Sequence, residues 1–337
     1  MLSSIDLKNF GPLRNLSWQN LGRVNLIIGG NGTGKTFLLK ALYSAIRTIE
    51  EYKRGNDQRT AAEILADKLY WTFQSDKIGD LVTKGAEGAL TSTLQVNNKD
   101  FIYSFGKDTT KQIASVENHI ESRNSNSIFL PAKEVLSLHQ IILKSREQDK
   151  IFGFDDTYLD LARALRQSPR QGKNYKEFSD SRKNLEKLID GRVEYDENIG
   201  RWQFKKGNQK FPIGVTSEGI KKISILDTLL SNRYLNDRSI VFVDEPESAL
   251  HPIAISELLR IVAILAERGI QFFLATHSYF VVKKLYLISQ EKSLSIPIIS
   301  AHDNQWVPEN LKDGMPENSI IDAAIRLYKE EVELALK

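Results

Sequence analysis

The stretch Gly29-Gly30-Asn31-Gly32-Thr33-Gly34-Lys35-Thr36 constrains this chain more than any other. Glycines leave the backbone bare, and the run ends in an ammonium and a hydroxyl. A bare loop of this kind lets successive N–H groups converge on an anion, with the lysine adding a point charge. The flanks agree. Val24-Asn25-Leu26-Ile27-Ile28 is short and apolar and reads as a buried strand. From Phe37 to Glu51, the residues Leu38, Leu39, Leu42, Ala45, Ile46 and Ile49 recur at helical spacing. Strand, glycine loop and helix together aim N–H groups and a helix N-terminus at a triphosphate. That sequence of elements commits the chain to an α/β fold.

Two further strands carry polar groups at their ends. Ser239-Ile240-Val241-Phe242-Val243 reads as a central parallel strand covered on both faces. It ends in Asp244-Glu245-Pro246-Glu247, in the crevice where open α/β sheets bind ligands. Asp244 is placed to hold Mg²⁺ together with the Thr36 hydroxyl, and Glu245 to orient and polarise an attacking water. Ile270 to Ala275 forms a third strand and leads into Thr276-His277-Ser278. A lone histidine is commonly structural, yet His277 sits on the same edge as Asp244, within reach of a γ-phosphate or a water. Val215-Thr216-Ser217-Glu218-Gly219-Ile220-Lys221-Lys222 opens a helix with Ile220, Ile223, Leu226 and Leu230 on one face. Ser217 there is a plain N-cap, or else a hydroxyl exposed to an anion beside free N–H groups.

Composition sets outer bounds. The 337 residues suffice for one large α/β domain or two, and 41% hydrophobic with 26% charged residues is ordinary for a globular protein. A net charge of +3 is weak support for a nucleic-acid partner. The absence of cysteine excludes a disulfide framework and thiolate metal sites. No apolar run approaches the roughly 18 residues of a membrane span, and Met1 to Phe10 lacks a signal-peptide core. The expectation is a soluble, cytoplasmic protein with no membrane partner.

Taken as a set, Gly29 to Thr36, Ser217-Glu218-Gly219, Asp244-Glu245, Ser248-Ala249-Leu250-His251-Pro252 and His277 resemble an ABC-type ATPase head. Their order is similar to the branch that includes RecF, SMC and OLD (overcoming lysogenization defect) proteins. So are the opening Ile5 to Phe10 with Gly11-Pro12-Leu13, and the closing Asp313 to Ile320. The resemblance implies ATP and Mg²⁺ as ligands. Gly29, Gly30, Asn31, Gly32, Thr33, Gly34, Lys35, Thr36 and Phe37 would bind the nucleotide, with Lys35 on the β- and γ-phosphates. Thr36 and Asp244 would hold the metal, while Glu245, His277 and Lys35 would serve hydrolysis. Ser217, Glu218, Gly219 and Lys222 would reach ATP on a second subunit, and Ser248, Leu250 and His251 would line the interface. That makes the chain a homodimer through ATP, or a higher oligomer built on it. Two departures stand out. The family position after the middle strand is often glutamine, whereas Ser127-Ile128-Phe129-Leu130 leads into Pro131-Ala132-Lys133-Glu134. His251 stands where transporter-type proteins carry aspartate, which favours the OLD-like branch.

The rest of the chain bears on the biological role. Ala61 to Lys84 reads as helical. Leu90 to Val96 and Asp100 to Phe105 alternate as a hairpin turning at Asn97-Asn98. By resemblance, residues 85–120 are a β-subdomain beside the nucleotide. Residues 135–192 read as a helical insertion, a compact lid interrupted at Gly153, Pro169 and Gly172 and so no long coiled coil. Val193 to Tyr195 and Arg201 to Phe204 suggest a second hairpin. The lid carries Arg163, Arg166, Arg170, Lys173, Lys176, Arg182 and Lys183, either a solvated face or a docking surface for DNA or an acidic partner. Tyr175 and Phe178 interleave with these charges. All 337 residues are expected to form one ATPase domain without a nuclease domain, since no second acidic cluster with metal-site spacing comes after the ATPase motifs. The leading reading is a regulatory or sensor ATPase controlling a separately encoded nuclease or toxin, similar to stand-alone ATPases of antiphage systems such as Septu and PARIS. The alternative is a RecF-like clamp on DNA; a metabolic or transporter-linked ATPase is a third, weaker reading.

Overall fold

A computed structural model describes residues 1–167, 178–302 and 305–336. The chain opens with β1 (Leu2–Phe10), β2 (Leu13–Trp18) and β3 (Val24–Ile28), then α1 (Lys35–Glu51) and α2 (Ala61–Phe73). Strands β4 (Leu90–Val96), β5 (Lys99–Phe105), β6 (Ser115–Asn118) and β7 (Ile128–Leu130) come next, then α3 (His139–Leu143), α4 (Asp156–Leu165) and α5 (Ser179–Ile189). After them run β8 (Arg192–Asp196), β9 (Arg201–Lys206), β10 (Gln209–Pro212), α6 (Glu218–Ser231), β11 (Ile240–Asp244) and α7 (Pro252–Glu267). The chain closes with β12 (Gln271–Thr276), α8 (Tyr279–Lys292), β13 (Pro297–His302), β14 (Gln305–Asn310) and α9 (Ser319–Ala335).

The central sheet has the order β14-β13-β3-β12-β11-β7, parallel except for β14. Its pleat sends alternate residues into two separate cores, as a period of two requires. Leu26, Val241, Val243, Phe272 and Leu274 enter one core with α6, α7 and α8. Ile27, Phe242, Phe273 and Ala275 enter the other with α1 and the five-stranded antiparallel sheet β2-β1-β4-β5-β6. Helix α1 therefore lies between two sheets, which is why residues all round it are buried, polar Ser44, Thr48 and Glu50 among them. Glu50 is satisfied at the sheet edge. It accepts from Ser127 N at 2.8 Å and Ser127 Oγ at 2.7 Å, and Ser127 Oγ accepts in turn from Ile240 N.

The Asn97-Asn98 hairpin forms as expected, with φ of 51° and 61° at the two turn residues, the left-handed pair that a two-residue turn needs. The helix expected over Ala61 to Lys84 is shorter. It stops at Phe73 because Gln74 turns left-handed, and Ile78 and Gly79 then donate to Thr110 O and Thr109 O instead of continuing the helix. The second hairpin gains a third strand, β10, and β7 proves to be an edge strand of the central sheet. In the segment pictured as a lid, Leu161, Ala162, Leu165 and Leu185 are built into the larger core. Arg170, Lys173, Lys176 and Tyr175 lie outside the described residues. Of the others, Arg163 pairs with Glu147, Arg182 with Asp227 and Glu186, and Lys183 with Asp180, while Phe178 is buried.

A buried ionic network fastens this helical segment to α1 and α2. Asp160 accepts from Tyr43 Oη at 2.6 Å and Lys68 Nζ at 3.0 Å, with Arg47 Nε 3.6 Å away. Lys68 also meets Glu51 and Asp156, and Arg146 closes on Asp156 at 2.7 Å. Removing one carboxylate leaves two desolvated cations short of charge. Asp160→Ala should cost about 3–5 kcal/mol, read as a lower urea midpoint, whereas the exposed Asp67→Ala should change stability by about 0–1 kcal/mol.

Candidate active site

Three parallel strands end together. Ile28 of β3 stands opposite Thr276 of β12, and Ala275 stands opposite both Ile27 and Asp244 of β11. The glycine loop after β3, His277 after β12 and Glu245 after β11 therefore emerge at one edge of the sheet. The loop turns through φ of +79° at Gly32 and +97° at Gly34. At Gly34 a side chain would also strike Pro12, its Cβ 2.9 Å from the ring. Gly34 caps α1 without a side chain, so the first-turn N–H groups face the cleft. Lys35 Nζ donates to Gly29 O at 2.9 Å and Gly30 O at 2.7 Å. Burial lowers the Lys35 pKa, opposed by Asp244, Glu245 and Glu247. Phe37 contributes only backbone to this edge, because its ring packs on Phe10 and Phe73 with centroids 5.3 and 4.6 Å away.

Thr36 Oγ1 lies 2.9 and 3.1 Å from the two carboxylate oxygens of Asp244. Neighbouring ligands of an octahedral Mg²⁺ with bonds of about 2.1 Å are about 3.0 Å apart, so this pair can span one edge of its shell. Burial raises the Asp244 pKa more than the Thr36 hydrogen bond lowers it, the condition of a carboxylate that a cation would relieve. No cluster of three metal-ligating side chains occurs among the described residues. The donor set fits a Mg²⁺ that completes its shell with phosphate and water.

Beyond Asp244 the chain doubles back. Glu245 is left-handed, with φ of +48°, and its N–H donates to Ala275 O at 2.9 Å. Lys222 Nζ of α6 donates to the Glu245 carbonyl. His277 Nδ1 lies 3.3 Å from Glu245 Oε1 and 3.9 Å from Glu247 Oε1. Glu247, to which the sequence assigned no role, accepts from Thr276 Oγ1 at 2.6 Å, and its other oxygen is buried without a hydrogen-bond partner among the described residues. The third acid of Asp244-Glu245-Pro246-Glu247 was the signal available for it. Burial pushes the Lys222 ammonium down to about 8, against the pull of Glu247, Asp244 and Glu245.

The signature segment stands apart from the glycine loop. Ser217 is the N-cap of α6, accepting from Ile220 N at 3.4 Å, and Glu218 pairs with Lys221 at 2.8 Å. None of Ser217, Glu218 and Gly219 hydrogen-bonds to residues 29–36 among the described residues. Gly219 is pressed against the loop after β11; a Cβ there would lie 2.9 Å from Ala249 O and 3.0 Å from Leu250 Cδ2. Ser248 and Leu250 are half-buried in that loop, and His251 caps α7 through Ile253 N. Val215 and Ile253 expose 76% and 68% of their surface at this edge. Lys133 and Glu134 of the segment lacking glutamine share a cleft of about 270 Å³ with Glu218, Lys222 and Ser248. Glu134 there pairs with Lys221 at 3.5 Å.

Residues 24–283 match the family described as an AAA domain, putative AbiEii toxin, type IV TA system. The chain belongs to this AAA-domain family. It is 20% identical to a Helicobacter pylori protein named ATP/GTP phosphatase, over 88% of this chain and 90% of that protein. Its fold is similar to an SMC head bound to the C-winged helix domain of ScpA, with a TM-score of 0.55, 13% identity, and coverage of 93% of this chain and 98% of that one. A Pyrococcus furiosus-derived SMC head with an extended coiled coil, bound to the C-terminal domain of ScpA, gives 0.51 at 11% identity, covering 98% of both. In fold and motif this AAA-domain chain is an ABC-type P-loop ATPase.

Lys222 is charged below about pH 8 in the nucleotide-free protein and neutral above it. Since kcat/KM reports ionisations of the free enzyme, kcat/KM for ATP should fall as pH rises through about 8. Lys222→Arg, which keeps its proton, should remove that limb from the profile.

Proposed function

We propose that two copies of the chain close head to tail on two ATP molecules, and that hydrolysis reopens them. The carrying observation is the exposed edge formed by Val215, Ser217, His251 and Ile253, whose helix start makes no hydrogen bond to residues 29–36 among the described residues. The loop from Gly29 to Thr36 would wrap the phosphates of one ATP, and Lys35 would leave its loop carbonyls for the β- and γ-phosphates. Mg²⁺, held by Thr36 and Asp244, would neutralise charge on the phosphates. Glu245 would orient and polarise the water that attacks the γ-phosphorus, with the bond to the β–γ bridging oxygen breaking as the new P–O bond forms. His277, 3.3 Å from Glu245, would fix that carboxylate and contact the γ-phosphate. Ser217, Glu218, Gly219 and Lys222 of the second copy would complete the site, and Ser248, Leu250 and His251 would lie between the copies.

A site split in this way makes ATP part of the interface, so the γ-phosphate selects between two assemblies. We infer that the assemblies differ in affinity for a separately encoded effector, a nuclease or toxin acting in antiphage defence. The family description links the AAA domain itself to a toxin–antitoxin system, which supports a defence setting. The ion pairs of Arg163, Arg182 and Lys183 remove part of the basic surface that a DNA clamp would use.

With ATP and Mg²⁺, the Glu245→Gln protein should elute at twice the monomer mass in light-scattering chromatography, and Lys35→Ala should remain at the nucleotide-free mass. An unchanged mass for Glu245→Gln with ATP would sink the shared-site proposal. Pull-down of the trapped form from its host should then recover one stoichiometric small protein. Recovery of DNA and repair proteins, released by salt, would favour the clamp instead.

A further inference from the structure

The opposite edge of the central sheet carries a second concentration of charge that ATP hydrolysis does not use. Four arginines far apart in sequence, Arg23, Arg123, Arg238 and Arg268, line one pocket of about 500 Å³. Two carboxylates, Glu121 and Asp237, share its wall, and Glu121 is engaged by Lys99 at 2.5 Å. None of the four arginines forms an ion pair with a carboxylate among the described residues. This differs from the network around Asp160, where each buried cation has its acid.

Two of the arginines are aimed by backbone carbonyls. Arg123 Nη2 donates to Arg238 O at 2.6 Å, and Arg23 Nη1 donates to Gly269 O. These bonds fix the two planar groups, whose remaining N–H donors have no hydrogen-bond partner among the described residues. Arg123 Nη1 is buried with no hydrogen-bond partner. A desolvated guanidinium nitrogen without an acceptor is costly unless something supplies one. Burial lowers the Arg123 pKa; Glu50 opposes this, and the neighbouring Arg238 adds to it.

We propose that this pocket binds a small phosphorylated ligand, its phosphoryl oxygens accepting from Arg123 and Arg238, with Arg23 and Arg268 as further cations. The guanidinium fork matches phosphate oxygens, and the volume lies within the usual range for small-molecule sites, about 300–1,000 Å³. Ile120 and Ile240 alone give the wall apolar side chains of size besides Met1, so a lipid chain finds little to bury against.

The position gives the ligand a route to the ATPase site. Ile240 and Gln271, the first residues of β11 and β12, line the pocket. The other ends of the same strands carry Asp244 and Thr276, four and five residues on, about 13–17 Å at strand spacing. The two sites are thus distinct and share two strands.

The test titrates inorganic pyrophosphate into ADP-saturated protein by calorimetry, so that the glycine loop is already filled. The expected result is one pyrophosphate per chain, with affinity lowered at least about tenfold in Arg123→Ala/Arg238→Ala. Arg238→Ala/Arg268→Ala alters only exposed side chains and should weaken binding while preserving the melting temperature, which guards against a folding defect in the first variant. Absence of binding to the ADP-saturated wild type, or wild-type affinity in both variants, overturns the proposal. Binding of a short single-stranded oligonucleotide in place of pyrophosphate also overturns it and assigns the arginines to a nucleic-acid backbone.

Discussion

The parallel register of β3, β12 and β11 is the constraint on which everything else depends. Ile27, Ala275 and Asp244 lie side by side, so three chain segments leave the sheet at one level. A one-residue slip of β11 would turn Asp244 to the other face and swap its apolar residues between the two cores. The register is held because both faces are committed: Val241 and Val243 to one core, Ile240 and Phe242 to the other. Packing thus sets the Thr36–Asp244 distance to within the reach of one cation.

Burial around α1 explains how a loop of glycines can be rigid enough to hold phosphate. The helix is wedged between two sheets and tied at its far end by Glu50 to Ser127. At its near end, Phe37 packs on Phe10 and Phe73, and Pro12 abuts Gly34. The loop hangs between fixed points, β3 and α1. Within the loop, Asn31 and Gly32 are exposed and a side chain at Gly30 or Gly32 would meet open space, so this stretch is accessible to a phosphate.

Legibility in the sequence tracked range. The glycine loop, the strand ending in Asp244 and the Asn97-Asn98 turn are local patterns, each dictated by backbone geometry within a few residues. The N-cap role of Ser217 was also readable, since it depends on one turn of helix. Long-range pairings were not. Asp160, Lys68 and Arg47 come from three helices, and Arg23, Arg123, Arg238 and Arg268 from four loops or strand flanks, with no spacing to link them. The short exposed strand β10 lacks the apolar alternation that betrays a strand, and the helix expected through Lys84 failed at a left-handed Gln74 that propensity does not foretell.

Strain ties the Glu245 carboxylate to the exposed edge. Glu245 and Ala249 both adopt left-handed backbone, at φ of +48° and +61°, at a cost of about 1–2 kcal/mol each. That conformation persists because neighbours over-determine it: Ala275 O takes the Glu245 N–H, Lys222 takes its carbonyl, and Gly219 presses on Ala249. Gly219 belongs to the first turn of α6, beside Ser217, and Lys222 follows that turn directly. Displacing that turn would remove the clamp on Glu245, and moving Glu245 would withdraw the support of the turn. The residues that would polarise water on one nucleotide and those that would grip the other are therefore one mechanical piece. Under the proposed head-to-tail closure, a γ-phosphate would act on subunit contact through that piece without a separate relay.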